Sequence, residues 1–323
     1  MNLLLTEPTP SQTLGQTVVL LNPHAAGGKA AALAEPIQRW LAQNAPLVAL
    51  EIPDSVAQAR LQIDALPPAS RIIVVGGDGT LNQILPSLLK GAHTTALVPF
   101  GSGNDTARAL GLYGLSWQKA LAHGLAGAAS RVDVGLAEFD IDTNIDATGQ
   151  SQTIHVPFIS SFTTGFDSSV GLRAINGPKW LRGLPRYLLA TVRELVNFST
   201  WTMQVSIDGA LVYSGKALFA STLNTRTFGA GMPAVPHARM NDGRLNLLLA
   251  GDISLTQTLL LLPRLLVGKH VCHPKVRTQA FQNMTIAAQT PLPLAADGEY
   301  LGLSKHIKVS VLPSAMPVVA ATA

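Results

Sequence analysis

Residues 71–89 read RIIVVGGDGTLNQILPSLL. The apolar run from Arg71 to Val75 predicts a strand that is buried on both faces, and it leads directly into a polar loop rich in glycine. Apolar residues then recur with the period of an amphipathic helix, at Leu81, Ile84, Leu85, Leu88 and Leu89. Pro86 removes a helical hydrogen bond, so we expect a kink there. A strand, a glycine loop and a helix in this order predict a βα unit of a parallel sheet.

The flanking sequence repeats this alternation. Further strands are predicted at Thr17 to Leu21, Leu47 to Ile52 and Thr95 to Pro99, which together indicate a doubly wound α/β domain. Pro36 is expected to stand at the first position of a helix. Glycine loops follow the other strands, but Pro53 follows the second one. We therefore place the second strand at the periphery, in the sheet order 2-1-3-4.

After about Asp133, β-rich segments with turn signals predict antiparallel pairing. The predicted strands are Ile154 to Ser161, Thr202 to Ile207, Leu211 to Ser214, Lys216 to Leu223, Leu245 to Leu249 and a final one at His306 to Leu312. Asp208-Gly209 is a two-residue hairpin signal. One helix is predicted from about Pro185 to Asn197, with a face formed by Leu188, Val192, Leu195 and Val196. We expect a first domain over residues 1–133 with a return of residues 308–323, and a second over 134–307.

The three glycine loops read NPHAAGGK at 22–29, GGDGTLN at 76–82 and PFGSGND at 99–105. In an open α/β sheet, ligands bind beyond the carboxyl ends of the strands, where these loops lie. Glycine lets backbone N–H groups approach phosphate oxygens, and the following helix adds a partial positive charge. A plain βα turn explains any single loop, but three loops at one edge predict a shared site for a nucleotide phosphate.

The loops do not match the two commonest nucleotide motifs. Pro23 and Ala30 stand where a Walker A loop needs its first glycine and its Ser or Thr, and Asn82 and Thr106 replace the third Rossmann glycine. The second and third loops instead carry the carboxylates of Asp78 and Asp105. A carboxylate beside phosphate is favourable only with a cation or a polar ligand group between them, which indicates Mg-nucleotide chemistry. The alternatives are a tight turn at Asp78 and a helix N-cap, with Asn104, at Asp105.

The composition is unusually apolar. Hydrophobic residues make up 47% of the 323 residues and charged residues only 13%, against about 25% in ordinary soluble domains. No window reaches the roughly 18 apolar residues of a membrane span, and the N-terminus lacks a basic signal-peptide region. We therefore expect a cytoplasmic protein. A nucleic-acid site would need the excess basic residues to be clustered, so the net charge of +4 does not by itself predict a nucleic-acid partner. Cys272 is the single cysteine, which excludes an internal disulfide.

Taken together, Asn22-Pro23 and the loops 76–82 and 101–105 resemble the diacylglycerol kinase catalytic domain family, which includes bacterial lipid kinases, sphingosine kinases and ceramide kinases. Asp242-Gly243-Arg244-Leu245 and Asp297-Gly298-Glu299 are similar to two later acidic motifs of that family, although from the residues alone they are hairpin turns. The resemblance covers nearly the whole chain. It implies an NAD kinase-like α/β domain, a β-sandwich-like second domain and an active site in the cleft between them.

The resemblance also implies an ATP-dependent, Mg²⁺-dependent lipid kinase and assigns roles within it. Glu299 would be the general base, Asp78 would organise the catalytic network, and Asp242 would hold Mg²⁺ with the backbone oxygens of Arg239 and Arg244. The residues implied in nucleotide binding are Asn22, Gly76, Gly77, Asp78, Gly79, Thr80, Leu81, Asn82, Ser102, Gly103, Asn104 and Asp105. We expect removal of the Asp78 or Glu299 carboxylate to abolish phosphotransfer at a near-wild-type melting temperature.

A basic stretch suggests how such an enzyme would meet a membrane. No acidic residue occurs from Ser168 to Arg193, and the stretch holds five basic residues. Each basic group near an anionic surface contributes about 1 kcal/mol. The predicted docking face, transiently bound to the inner membrane, consists of Lys179, Trp180, Arg182 and Arg186. The alternative is an ordinary helix that exposes its arginines to water.

Two other functions remain open at this stage. One is a soluble small-molecule kinase of the NAD kinase type, which shares the glycine-aspartate-glycine motif. The other is a lipid- or nucleotide-binding module without turnover. The sequence does not identify the acceptor lipid or the nucleotide, and a homodimer is compatible with either.

Overall fold

Four parallel strands form the N-terminal sheet of the computed structural model, which describes residues 15–145, 151–178, 180–181 and 183–321. They are β1 (Thr17–Leu21), β2 (Ala49–Glu51), β3 (Arg71–Gly76) and β4 (Thr94–Pro99). Their order is β2-β1-β3-β4, which confirms the predicted 2-1-3-4 arrangement. The second strand is shorter than predicted.

Helices flank this sheet and cover part of the second one. They are α1 (Ala34–Asn44), α2 (Val56–Asp64), α3 (Asp78–Lys90), α4 (Asp105–Ala109), α5 (Trp117–Ala126), α6 (Phe166–Ile175), α7 (Leu184–Glu194) and α8 (Leu255–Leu266). Short 3₁₀ helices occupy Lys29–Leu33, Leu195–Asn197 and Lys269–Cys272. Pro36 is the third residue of α1, not the first as predicted, and it fits there because the opening N–H groups of a helix have no intrahelical partner. Pro86 lies inside α3, which continues to Lys90.

The remaining strands are almost all antiparallel to their neighbours. They are β5 (Ala129–Ile145), β6 (Ser151–Phe158), β7 (Ser161–Thr164), β8 (Trp201–Ile207), β9 (Ala210–Ala217), β10 (Phe219–Leu223), β11 (Leu245–Ala250), β12 (Val276–Phe281), β13 (Asn283–Ala296) and β14 (Glu299–Val319). The hairpin predicted at Asp208-Gly209 joins β8 to β9, with φ of 48° and 86° at the two residues. These angles are those of a type I′ turn. The α/β domain followed by a mainly antiparallel domain confirms the predicted fold class.

The last strand connects the two parts of the chain. Its first half pairs with β13, its second half pairs with β5, and near its end Val318 is in parallel register with Thr95 of β4. The predicted strand at His306 to Leu312 is therefore the middle of a longer one. Because β14 pairs with β4 of the first domain and with β13 of the second, it joins the strands of both domains into one continuous sheet.

The face predicted for helix α7 is buried only in part. Leu195, in the 3₁₀ helix that follows α7, is buried and Leu188 is half-buried, whereas Val192 and Val196 are exposed. Ala190 and Thr191, which are not on the predicted face, are buried. Spacing alone does not say which side of a short helix meets the core. No helix within the described ranges is both long and apolar enough to cross a bilayer.

Candidate active site

The second and third glycine loops touch through their backbones. Gly77 precedes α3 and Gly101 follows β4, and their strands are adjacent and parallel. A Cβ on Gly77 would lie 2.8 Å from the Gly101 Cα, and one on Gly101 would lie 2.6 Å from the Gly77 Cα. Real Cβ atoms do not approach so closely, so this contact requires glycine on both sides. Asn104, in the left-handed region at φ 57°, closes the third loop by bonding the N–H and the carbonyl of Gly101.

Asp78, at the first position of α3, is held by the third loop. Its Oδ2 accepts the N–H of Asp105 at 2.9 Å, and its Oδ1 accepts the N–H of Thr106 at 3.0 Å. These two N–H groups belong to the first turn of α4, where the positive end of the helix favours a carboxylate. The side chain of Asp78 therefore has a fixed orientation before any ligand binds.

Asp105 ties the third loop to the second domain. Its carboxylate, which is buried, accepts hydrogen bonds from the Thr227 hydroxyl and from the N–H groups of Ala230 and Gly231 at 2.7–2.9 Å. Burial, and then the Asp78 charge, raise the pKa of Asp105 above its usual value, while these bonds oppose the rise. The alternative, a helix N-cap with Asn104, is met in part. Asn104 occupies the N-cap position of α4 without a side-chain capping bond, and Asp105 is the first residue of the helix.

Asp297 makes the opposite connection, from the second domain to the first. It lies with Gly298 in the turn between β13 and β14, and its buried carboxylate accepts the Asn82 amide at 3.0 Å. The same carboxylate accepts the backbone N–H groups of residues 159, 160 and 161 at 2.7–2.9 Å. Burial raises the pKa of Asp297 to about 6 against the lowering effect of these bonds. The hairpin predicted here is confirmed, and Asp297 acts in positioning.

Glu299 lies over the start of α3. A Cβ on Gly79 would be 3.2 Å from its Oε1, so the carboxylate sits beside the backbone of the glycine loop. Glu299 and Asp78 line one cavity of about 370 Å³ between the two domains, within the usual range for ligand sites. Further lining groups include Gly77, Ser102 and Gly103.

Several residues implied in nucleotide binding make contacts within the protein, and their role toward a nucleotide stays a prediction. The Asn22 amide donates to the Thr80 hydroxyl at 2.8 Å, joining the first two loops. Leu81 is buried in the core of the first domain, and the Asn82 amide is bonded to Asp297. A Cβ on Gly76 would be 2.7 Å from the Thr80 hydroxyl oxygen.

The metal site implied at Asp242 lies apart from the residues that line the cavity. Asp242 is exposed, and its Oδ1 accepts the N–H of Arg244 at 3.1 Å. The neighbouring turn is instead held by Asp133, a buried carboxylate that accepts the N–H groups of Gly243 and Ser314, both at 2.8 Å. No group of three or more His, Cys, Asp or Glu residues suited to a metal occurs in the described part of the chain. Mg²⁺ at Asp242 with the Arg239 and Arg244 carbonyls stays a prediction.

The predicted membrane face is divided. Trp180 is 81% exposed, but Arg186 lines the cavity, and its Nη2 donates to the carbonyls of Ile175 and Gly177 at 2.7 and 3.1 Å. Lys179 and Arg182 lie outside the described residues. The Arg186 Nε is buried, without a hydrogen-bond partner among the described residues.

Sequence reasoning missed the second, apolar cavity of about 80 Å³. It lies between α6, α7 and α8 and shares three lining residues with the polar cavity, namely Asp167, Tyr187 and Phe228. Asp167 is buried and accepts the Ser221 hydroxyl at 2.9 Å, and burial raises its pKa to about 7. Its position in an otherwise apolar and small-residue stretch, Phe166 to Val170, was the available signal.

The phosphate end of a nucleotide fits the groups that line the polar cavity. The first three N–H groups of α3 have no intrahelical partner and carry the positive end of the helix. Gly77, Gly101 and Gly103 keep the surface beside them free of side chains, and Arg186 adds a positive charge at the cavity wall. The carboxylates of Asp78 and Glu299 are oxygen donors of the kind Mg²⁺ prefers, directly or through water.

Comparisons with known proteins agree with this geometry. The model of the diacylglycerol kinase catalytic domain matches residues 16–137, and the model of the YegS C-terminal NAD kinase beta sandwich-like domain matches residues 160–320. Diacylglycerol kinase of Mycobacterium tuberculosis is 28% identical over 308 residues, which cover 94% of this chain and 95% of the relative.

Solved structures share the fold. A diacylglycerol kinase from Bacillus anthracis superposes with a TM-score of 0.65 at 17% identity, covering 96% of this chain and 98% of that one. Yeast NADH kinase complexed with NADH gives a TM-score of 0.53 at 12% identity, with 98% and 89% covered. These identities bear on the fold alone. With the two family models matched in succession along it, the chain belongs to the diacylglycerol kinase catalytic domain family and is a kinase.

Proposed function

We propose that this kinase transfers the γ-phosphoryl group of ATP to a hydroxyl of a lipid, diacylglycerol or a related molecule. The observation that carries the proposal is the junction of the two cavities. A polar cavity with glycine loops and carboxylates meets an apolar cavity across Asp167, Tyr187 and Phe228. A phosphate donor suits the first, and a hydrocarbon chain suits the second.

The residues of the polar cavity would share the work of phosphoryl transfer. Glu299 takes the proton from the lipid hydroxyl while the hydroxyl oxygen forms a bond to the γ-phosphorus of ATP. The bond between the γ-phosphorus and the bridging β–γ oxygen breaks, and ADP is released. The α3 N-terminus and the 101–103 loop would hold the phosphates. Mg²⁺, when bound, would neutralise charge on the phosphate oxygens, and Asp78 is the cavity carboxylate that would hold it, directly or through water, while Glu299 stays free to take the proton.

Asp78 would act mainly through position. Because its two oxygens are engaged by α4, it keeps the third loop against the second while leaving a negative charge at the cavity wall. Asp105 and Asp297 then fix the domains around the reacting groups. This division of labour agrees with phosphoryl transfer, which depends on positioning and charge neutralisation more than on covalent chemistry.

Labelled ATP with Mg²⁺ and a lipid panel tests the proposal. The panel comprises diacylglycerol, ceramide, sphingosine, monoacylglycerol and phosphatidylglycerol in mixed micelles, with NAD in detergent-free buffer as the acceptor of the rival soluble kinase. We expect transfer to a lipid, dependence on Mg²⁺ and no transfer in Glu299→Gln. Glu35→Gln, an exposed carboxylate in α1, is the matched control and should behave as wild type. Transfer to NAD alone, or no transfer to any acceptor, would refute the proposal.

A further inference from the structure

The helix α8 is apolar on two sides. Its inner side supplies Thr258, Leu261, Leu262 and Leu265 to the apolar cavity. Its outer side exposes large apolar residues to solvent, at Leu255, Leu259, Leu260, Leu266 and the adjoining Val267. Leu260 is 72% exposed and Val267 64%. A surface helix of a water-soluble domain normally presents polar residues outward, so a cluster of exposed leucines marks a surface that meets something apolar.

The charge of α8 and of the segment after it is positive. No Asp or Glu occurs between Ile253 and Ala296, whereas Arg264 is exposed in the helix and Lys269 and Lys275 are exposed after it. The exposed Asp252 precedes the N-cap, Ser254, and so lies at the other end of the helix from Arg264. A second protein surface would need to be both apolar and acidic to match this patch. An anionic bilayer offers both properties together, hydrocarbon below and negative headgroups above.

The position of α8 relative to the apolar cavity adds the third observation. Tyr187, Leu188 and Thr191 of α7 line that cavity opposite α8. At about 80 Å³ the cavity is smaller than the roughly 300–1,000 Å³ of ordinary ligand pockets, so a chain that enters it must separate the two helices. One of these two helices, α8, carries the exposed leucines on its outer side.

We infer that α8 docks on the surface of an anionic lipid bilayer, with Leu255, Leu259, Leu260, Leu266 and Val267 inserted among the acyl chains and Arg264 and Lys269 among the headgroups. The docked helix α8 lies between the bilayer and the apolar cavity. The lipid passes from the bilayer under α8 into the cavity. This passage of the substrate rests on the proposed function, whereas the docking itself does not. The inference places the membrane contact on α8, apart from the basic stretch at residues 168–193.

Vesicle partitioning tests the docking. The double variant Leu259→Gln/Leu260→Gln should bind vesicles of phosphatidylglycerol and phosphatidylcholine about tenfold more weakly than wild type, because it loses two inserted side chains. The matched control is Leu47→Gln/Leu61→Gln, whose leucines are 98% and 71% exposed in the N-terminal domain, and it should bind as wild type. Arg264→Gln/Lys269→Gln should lose the preference for phosphatidylglycerol and its dependence on salt. Unchanged melting temperatures verify that all variants fold.

Two further measurements separate the possible failures. With an active wild type, Leu259→Gln/Leu260→Gln should lose transfer to a long-chain lipid in vesicles and keep transfer to a short-chain lipid dissolved as monomers. If wild type phosphorylates neither lipid, the proposed function fails, but the vesicle result still decides the docking. Undiminished vesicle binding by that double variant overturns the inference. So does sedimentation that shows a wild-type dimer converted to monomers by the same substitutions, since a second copy would then cover α8.

Discussion

Asp78 has two tasks in the structure, and they change what its removal should do. The sequence predicts a large loss of turnover at nearly unchanged stability, but the carboxylate also holds two N–H groups of α4. Hydrogen bonds to charged groups contribute about 1.5–3 kcal/mol each. Glu299 makes no such bond among the described residues, so it is the cleaner test of chemistry.

We therefore expect different outcomes for Asp78→Asn and Glu299→Gln. Both should reduce kcat by at least about a hundredfold, the usual scale of a general base or a charged positioning group. Asp78→Asn should also lower the free energy of unfolding by about 2 kcal/mol, because an amide N–H₂ would face backbone N–H groups. Chemical denaturation alongside steady-state kinetics checks both. Equal stability of the two variants would contradict the structural role of Asp78.

Asp167 predicts a pH dependence of stability. Its carboxyl pKa is raised by burial from 3.8 to about 7, so between pH 4 and 7 the folded state retains a proton that the unfolded state releases. The contribution of Asp167 to stability must then fall as the pH rises through this window, and the full penalty applies above pH 7. Asp167→Asn removes the penalty.

The melting temperature of Asp167→Asn minus that of wild type should therefore grow from about pH 4 to pH 7 and level off above it. Other carboxyl groups with a raised pKa, such as Asp297, are present in both proteins, so their contributions cancel in the difference between the two melting temperatures. Asp54→Asn, at an exposed position, is the control and should follow wild type throughout. A difference for Asp167→Asn that is constant with pH would show that the carboxyl is not desolvated.

At the scale of elements, the contact between the glycine loops is the most constrained. Gly77→Ala would place a Cβ 2.8 Å from the Gly101 Cα, and neither backbone can yield without moving the start of α3 or α4. We expect a loss of about 1–3 kcal/mol in stability and a higher KM for ATP. Gly171→Ala, in α6, is the control for stability alone, because its Cβ would meet nothing within 4 Å although Gly171 lines the polar cavity; its stability should be unchanged or slightly higher. A normal KM in Gly77→Ala would refute the role of the loop contact.

Elements with strong local signals were predicted well from the sequence. The strand, loop and helix at residues 71–89 and the Asp208-Gly209 hairpin lie where their patterns indicated, because buried apolar runs and turn residues act locally. The burial of α7 and the apolar cavity were not predictable in this way. They depend on how α7 packs against α8, which is about seventy residues away in the chain.

The same limit applies to the candidate site. The acidic glycine loops could be found by their spacing, and the structure brings Asp78, Asp105 and Glu299 to one cavity. Asp105 and Asp297 each accept hydrogen bonds from the opposite domain. These bonds could not be predicted, because they join segments that are far apart in the sequence. All four carboxylates line the cavity, and the geometry adds that Asp78, Asp105 and Asp297 are also engaged in bonds that position the loops.

At the scale of the whole molecule, the two domains are joined by β14 and by these reciprocal carboxylates. Asp297 and Asp208 make a matched pair for testing that connection, because both lie in an Asp-Gly hairpin turn, with φ of 45° and 48°. The Asp297 carboxylate is buried and bonds Asn82 of the first domain. Asp208 is exposed, and its carboxylate accepts the N–H groups of Gln282 and Asn283 on the neighbouring strand and no others in the described part of the chain. Asn suits this turn, so Asp208→Asn should lower the free energy of unfolding by less than about 1 kcal/mol.

Asp297→Asn should lower the free energy of unfolding by about 3 kcal/mol or more, since four donors lose a buried charged partner. It should also raise the KM for ATP, because the cleft between the domains is held less firmly. Denaturant unfolding should also broaden if the domains then unfold separately. Similar unfolding curves for the two variants would show that the Asp297 bonds do not hold the domains together.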